Sequence, residues 1–123
     1  NLTLDKKDEA KYLEMLALGS ALSSVQVLSA FQKDMPVGPV VSVMQRWYWD
    51  LMAVLSGAEP RYFPEHAEAY KRQAQGTDFQ KLVPFNQTLM QANRSKDHPL
   101  SKRLVLQDLF ITWAKTLADA RKN

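Results

Sequence analysis

Proline positions divide this chain into segments in which large apolar side chains recur every three or four residues. Apolar residues at that spacing lie on one side of an α-helix, whereas a half-buried strand would alternate apolar and polar positions. Proline disrupts the interior of a helix, but it is tolerated where a helix begins or where two helices connect. Five of the six prolines stand at such places, namely Pro36, Pro39, Pro60, Pro64 and Pro99. The pattern predicts an all-α fold, a bundle of about five to six helices.

The expected helices follow one another with short connections, over residues 5–18, 20–33, 39–56, 64–75, 79–96 and 101–121. Gly19 and Gly57 are expected to end the first and third helices, and Asp78 to cap the fifth. In the second helix, the segment 25–27 leaves a strand as the alternative. Pro84 lacks a backbone N–H, so we expect it to kink or restart the fifth helix.

Composition excludes several classes of function. The chain has 123 residues, of which 46% are hydrophobic and 24% charged, and this is typical of one globular domain. It contains no cysteine, which excludes disulfides, thiolate metal sites and cysteine nucleophiles. Its four glycines form neither of the glycine-rich phosphate-binding motifs.

Membrane and secretion signals are weak. The start of the chain is charged over residues 5–9, which argues against a signal peptide. The longest uncharged run spans residues 15–32, but only eleven of its eighteen positions are apolar, so a membrane span is not expected. We therefore expect a cytoplasmic location and no membrane partner. Because the chain begins at Asn1 rather than methionine, we interpret it as a segment excised from a longer protein.

Residues suited to catalysis or metal binding are sparse. The two histidines, His66 and His98, do not occur in a zinc-protease motif, and no nucleophile-elbow motif is present. Asp50 and Asp108 lie within apolar helices, where a carboxylate more often faces solvent or pairs with arginine than acts as a perturbed acid. We expect no catalytic residue, no metal and no cofactor.

Positive charge is concentrated in the second half of the chain. Residues 1–62 carry a net charge of −1 and residues 63–123 carry +4. Two clusters could form phosphate-binding patches, one at residues 70–72 and one comprising Arg94, Lys96, Lys102 and Arg103. Phe79 and Phe85 fall on an apolar stripe and are assigned to the core, so these two aromatic residues do not alternate with the cations. A solvated basic face is the expectation, and nucleic-acid binding is the alternative.

Two helices carry apolar residues on faces that a lone bundle would leave polar. The third helix places ten apolar residues within half of its circumference, yet Trp49 lies in the middle of the polar half. Either other segments of this chain cover Trp49, or it contacts a partner. On the last helix, Leu104 and Ile111 align beside Gln107 and Asp108, opposite a core stripe. This row indicates a second contact surface, with burial by another segment as the alternative.

Two groups of residues resemble a known family. The first comprises Gln45-Arg46-Trp47-Tyr48-Trp49-Asp50-Leu51, Gly57 and Pro60-Arg61-Tyr62-Phe63-Pro64; the second comprises His98-Pro99-Leu100, Arg103-Leu104 and Asp108-Leu109. In order and spacing they resemble the C-terminal domain of bacterial DNA polymerase III delta-prime subunits, with helices in the same order along the whole chain. Ser101 and Gln107 depart from the pattern, where relatives often have Asn and Glu.

The resemblance implies a non-catalytic domain that holds one clamp-loader subunit in a five-membered collar during DNA replication. It implies contacts with the gamma/tau and delta subunits, while DNA and the sliding clamp are reached only through the whole complex. The N-terminal AAA+-type module of that family is not part of this chain. The resemblance and the unexpected apolar residues on the two helices together give six candidate contact residues: Trp49, Arg46, Leu104, Gln107, Asp108 and Ile111. A generic helical adaptor and a small nucleic-acid-binding domain are the alternatives.

Overall fold

The computed structural model describes residues 4–32, 34–97 and 101–121. Six α-helices follow one another, α1 (Lys6–Leu18), α2 (Ser24–Leu28), α3 (Val37–Leu55), α4 (Ala67–Gln75), α5 (Phe79–Arg94) and α6 (Lys102–Arg121). Short 3₁₀ turns at Gly19–Ala21 and Pro64–His66 lead towards α2 and α4. The described ranges contain no strand, so the all-α prediction is confirmed. Within them, no helix combines the length and the apolar character that crossing a bilayer requires.

Helix α3 is the centre of the fold and packs against α1, α4, α5 and α6. Its predicted apolar half explains these several neighbours, since each neighbour covers part of a stripe too wide for one helix. Trp47 and Leu51 are fully buried in the middle of the core. On α6 the predicted core stripe is also confirmed, because Leu106, Phe110 and Trp113 are buried.

Glycine ends two of the helices, as predicted. Gly57 follows α3 with φ +93°, and its N–H donates to the Val54 carbonyl while the Ala58 N–H donates to the Ala53 carbonyl. This pair of bonds is the Schellman arrangement, which favours glycine because the backbone enters a left-handed conformation. Gly19 ends α1 with φ +54°, and a β-carbon there would come within 2.9 Å of the Leu117 side chain. The predicted cap of α5 is confirmed by the Asp78 carboxylate, which accepts from the Lys81 N–H.

Two predicted elements differ from the structure. The second helix is much shorter than expected, because Leu22 is extended and Ser23 then forms a reciprocal capping box with Gln26. The serines in this segment compete for backbone hydrogen bonds, which restricts the helix to five residues. Helix α5 runs through Pro84 as one element, so of the two expectations for Pro84 the restart is wrong, and the kink stays a prediction. Phe79 is exposed rather than buried, because it stands at the first position of α5 on the side away from the core.

Tyr12 of α1 is buried in an aromatic cluster without a partner for its hydroxyl. Its ring stacks on Phe31 at 5.4 Å between centroids and lies 6.0 Å from that of Phe110. No described residue hydrogen-bonds to the hydroxyl oxygen. Burial, with smaller contributions from Asp8 and Asp5, raises the pKa of Tyr12 to about 12. Both the unpaired hydroxyl and the buried phenolate disfavour the folded state.

Tyr12→Phe should therefore stabilise the fold, by about 1 kcal/mol at pH 7, because it removes a buried hydroxyl that makes no hydrogen bond. The pKa of Tyr12 is higher in the folded state than in the unfolded state, so the fold favours the protonated phenol over the phenolate. The wild type is therefore most stable, as far as this group is concerned, below pH 10, and it loses stability as the pH rises from 10 towards about 12. Urea unfolding between pH 7 and 12 should show a smaller alkaline loss in Y12F. Tyr62→Phe, at an exposed tyrosine, is the control; a Y12F protein less stable than the wild type at pH 7 would contradict the assignment.

Candidate interaction surfaces

The carboxylate of Asp50 on α3 is buried and holds the loop that follows the helix. Its oxygens accept hydrogen bonds of 2.8–3.1 Å from the backbone N–H groups of Arg61, Tyr62 and Phe63. The Tyr70 hydroxyl on α4 donates to the same carboxylate at 2.8 Å. Asp50 is only 1% exposed, so the expectation that it faces solvent or pairs with arginine is wrong. Converging N–H donors take the place of water around the charge.

Burial and the hydrogen bond to Asp50 both act on the Tyr70 hydroxyl. Burial makes the larger contribution, and together they raise the pKa of Tyr70 far above its ordinary value. The hydroxyl therefore stays protonated and remains a donor to the carboxylate throughout the physiological range. Asp50 and Tyr70 thus link α3 to α4.

The loop held by Asp50 places Tyr62 beside Trp49. The two ring centroids are 5.9 Å apart, and the Arg61 guanidinium carbon lies 5.8 Å from the centre of the Tyr62 ring. Trp49 keeps 46% of its surface exposed, and Tyr62 keeps 40%. The loop therefore covers one part of the Trp49 indole and leaves a second part open. We call Trp49 and Tyr62 the aromatic pair.

The other signature residues near this loop are structural. Trp47 is buried, donates to the Gln73 side-chain oxygen at 3.1 Å, and packs 4.4 Å from the Tyr70 ring. Phe63 packs on Trp47, and Pro64 then opens the 3₁₀ turn before α4. These contacts account for the motif over residues 60–64. His98, Pro99 and Leu100 lie outside the described residues.

A row of apolar side chains is exposed where α2 meets α6. Leu104 is 65% exposed and Ile111 is 37% exposed, so the described segments of the chain leave Leu104 largely uncovered and Ile111 partly uncovered. Val25 and Leu28 of α2 are exposed as well. Helix α2 packs on α6, and the Gln107 side chain holds its end there by donating to the Leu28 carbonyl at 3.2 Å. We call Val25, Leu28, Leu104 and Ile111 the α2–α6 surface.

Two candidates on α6 have different positions. Asp108 is exposed beside Leu104, as a contact residue should be. Gln107 is buried, and its amide is used within the chain, so it does not belong to the exposed surface. Sequence reasoning could not separate the two, since only the position of α2 decides which is covered.

A second apolar row lies on α5. Phe79, Val83 and Met90 are all exposed, and their spacing of four and seven residues places them on one side of the helix. Sequence reasoning missed this α5 row because Phe79 was assigned to the core. The spacing of these three residues is present in the sequence. It could be recognised only by allowing α5 a second apolar stripe in addition to the one that faces the core.

An open groove of about 810 Å³ runs beside the first half of α3. We call it the α3 groove. Its principal polar lining comprises Ser42, Gln45 and Arg46 from α3, Asn93 and Lys96 from around the end of α5, and Lys102 from the start of α6. Glu9 and Asp97 also line it. Arg46 forms a 3.8 Å ion pair with Glu9, and its Nε donates to the Ser42 carbonyl at 3.2 Å.

Neither site chemistry nor similarity to known proteins identifies the function. No group of three or more potential metal ligands occurs among residues 4–32, 34–97 and 101–121. No family model, curated protein or solved structure matches the chain. The surface features that could serve a function are therefore the aromatic pair, the α2–α6 surface, the α5 row and the α3 groove.

Asp50→Asn should destabilise the protein by about 2–4 kcal/mol, because the neutral amide loses charge-assisted bonds and turns an N–H₂ group towards loop donors. Tyr70→Phe removes only one of the donors to the carboxylate and should cost about 1 kcal/mol. Urea unfolding measures both, and the backbone amide resonance of Tyr62 reports whether the loop has moved. Equal stability of D50N and the wild type would show that these bonds do not hold the loop.

Proposed function

We propose that this chain is a non-catalytic oligomerisation domain of the clamp-loader collar type, which packs its helices against neighbouring subunits. The observation that carries the proposal is the α2–α6 surface. Large apolar side chains are normally scattered on a monomer, and an exposed group of them is typical of a protein–protein contact. Leu104, at 65% exposure, would bury much of its side chain only in an assembly.

The α5 row supports the same proposal. A subunit of a ring or arc has two neighbours, and a head-to-tail contact requires two different surfaces on each subunit. Phe79, Val83 and Met90 give this chain a second exposed apolar row on another helix. We propose that the α2–α6 surface and the α5 row contact different neighbours.

The resemblance to delta-prime subunits supplies the kind of assembly. The residues that carry it near α3 are largely occupied within the fold, since Trp47 and Asp50 organise the core and the loop. They therefore support a shared fold more directly than a shared interface. On this proposal the neighbours are the gamma/tau and delta subunits, and the domain contributes to loading the sliding clamp onto DNA during replication by holding the complex together.

A generic helical adaptor is the second candidate, because exposed apolar rows would serve any helical partner. Co-assembly distinguishes the two proposals. A collar domain should form a complex with a gamma/tau subunit, whereas an adaptor for other proteins should remain apart from it.

Leu104→Ala combined with Ile111→Ala should weaken this co-assembly by about 2–4 kcal/mol if the pair is an interface hot spot. Leu104 is 65% exposed, so L104A alone should change the free energy of unfolding by no more than about 0.5 kcal/mol. Ile111 is more covered, so the double variant should lose about 1–2 kcal/mol of its own stability and still fold. Size-exclusion chromatography and titration calorimetry with the gamma/tau subunit measure assembly, and urea unfolding measures stability.

Leu18→Ala, which truncates an exposed leucine at the end of α1, is the matched control. It should leave assembly unchanged. Loss of stability in the double variant with intact assembly would contradict the role of the α2–α6 surface. Failure of the wild type itself to bind the gamma/tau subunit would contradict the collar proposal and favour an adaptor.

A further inference from the structure

The α3 groove leads directly to the aromatic pair. Ser42, Gln45 and Arg46 line the groove, and Trp49 follows them on the same side of α3, about 5 Å further along the helix axis. Tyr62 then extends the aromatic surface beyond α3. The spacing along α3 thus places the exposed aromatic pair next to the end of the polar groove that Gln45 and Arg46 line, and none of these residues belongs to the α2–α6 surface.

Positive charge on this surface comes from two helix ends. Lys96 follows α5 and lies over Gly38 in the first turn of α3, so close that a β-carbon there would be 3.4 Å from the Lys96 Cδ. Lys102 begins α6 on the other side. Arg46 and Glu9 offset each other through their ion pair, which leaves two lysines against Asp97. Among the described residues, neither lysine has a carboxylate within ion-pair distance.

The basic cluster of the second half extends this charge. Arg94 and Arg103 are exposed and lie within two residues of Lys96 and Lys102 in the sequence, although they do not line the groove, so four cations and one acid occupy the described residues from 94 to 103. The first turn of α6 contains no acidic residue. Lysine and arginine at a helix N-terminus are repelled by the helix dipole, and a bound anion would relieve that repulsion.

The aromatic pair is fixed before any ligand arrives. Asp50 holds the backbone of Tyr62 through two hydrogen bonds, and Tyr62 in turn packs against Trp49. A preorganised platform loses little conformational entropy on binding. The Arg61 guanidinium over the Tyr62 ring adds a flat cation to the same platform.

We propose that the α3 groove and the aromatic pair bind single-stranded nucleic acid. Lys96 and Lys102 contact phosphates, and an unpaired base stacks on Trp49. Aromatic rings beside a basic groove are the arrangement with which proteins bind single strands, whereas the bases of a duplex are stacked on each other and unavailable. An acidic peptide would use the lysines but would leave the aromatic pair without a role.

This activity goes beyond the proposed oligomerisation and changes three earlier expectations. DNA, which the resemblance places in contact only with the whole complex, is bound by this chain directly. The basic second half becomes a ligand-binding feature rather than a solvated face. Trp49 and Arg46 border the nucleic-acid site rather than a subunit contact. The α2–α6 surface remains available to neighbouring subunits.

The test is fluorescence anisotropy of a labelled 20-residue oligo(dT) titrated with the protein over a series of salt concentrations. We expect affinity to fall with salt, and the double variant K96E/K102E to lower the slope of log affinity against log salt by about two. Trp49→Ala should weaken binding about 5- to 100-fold with little change in that slope, because a lost stacking contact involves no counterion.

The matched control is Lys115→Glu, which changes an exposed lysine on the same helix about 20 Å from Lys102. It should bind within about twofold of the wild type, a difference small against the loss of a specific contact. K102E is not expected to disturb folding, since it places an acid in the first turn of α6, where the helix dipole favours it.

Three results would overturn the proposal: a loss from K115E as large as the loss from K96E/K102E, unchanged binding by Trp49→Ala, or duplex DNA or poly-glutamate bound as tightly as oligo(dT). The variant L104A/I111A of the α2–α6 surface distinguishes this proposal from the oligomerisation proposal. It should bind oligo(dT) like the wild type, and a parallel loss of binding would also contradict a separate nucleic-acid site.

Discussion

The buried carboxylate of Asp50 is the interaction on which the surface between α3 and α4 depends. Removing a carboxylate from water costs several kcal/mol unless donors surround it, so its burial requires the loop backbone to turn its N–H groups inward. Once Arg61, Tyr62 and Phe63 have done so, Phe63 packs on the core and Tyr62 faces outward beside Trp49. A charge inside the fold thereby determines which aromatic rings are offered outside it.

A second set of polar contacts joins the helices through the end of α1. The Leu16 carbonyl accepts from the side chains of Gln73 at 2.8 Å and Trp113 at 3.2 Å. Gln73 also accepts from Trp47, so one backbone end connects α1 to α3, α4 and α6. The Leu16 carbonyl also accepts from the Gly19 N–H that ends α1, and as one of the last carbonyls of the helix it has room for side-chain donors, which buried tryptophan N–H groups need to find. Each requirement satisfies the other, which fixes how these helices are placed along their axes.

The sequence was most informative for long helices with one strong period. The ranges of α3 and α6 follow from apolar spacing and from the proline or glycine at their ends. It was least informative for α2, where serine caps outweigh the apolar repeat, a balance that spacing does not show. The role of Asp50 could not be predicted, because its donors lie 11–13 residues away in an irregular loop. Exposure of Leu104 and Ile111 was predictable, whereas burial of Gln107 depended on the position of α2.

The exposed surfaces differ in the forces that they can use, and this difference would separate the two proposed roles. The α2–α6 surface and the α5 row offer apolar area, which gains free energy by losing water and responds little to moderate salt. The α3 groove offers lysines beside helix N-termini, whose attraction for an anion is weakened steeply by salt. Subunit contacts through the apolar rows would therefore persist under ionic conditions that release a nucleic acid from the groove. With these forces, the same chain could hold a permanent neighbour on one surface and exchange a strand on the other.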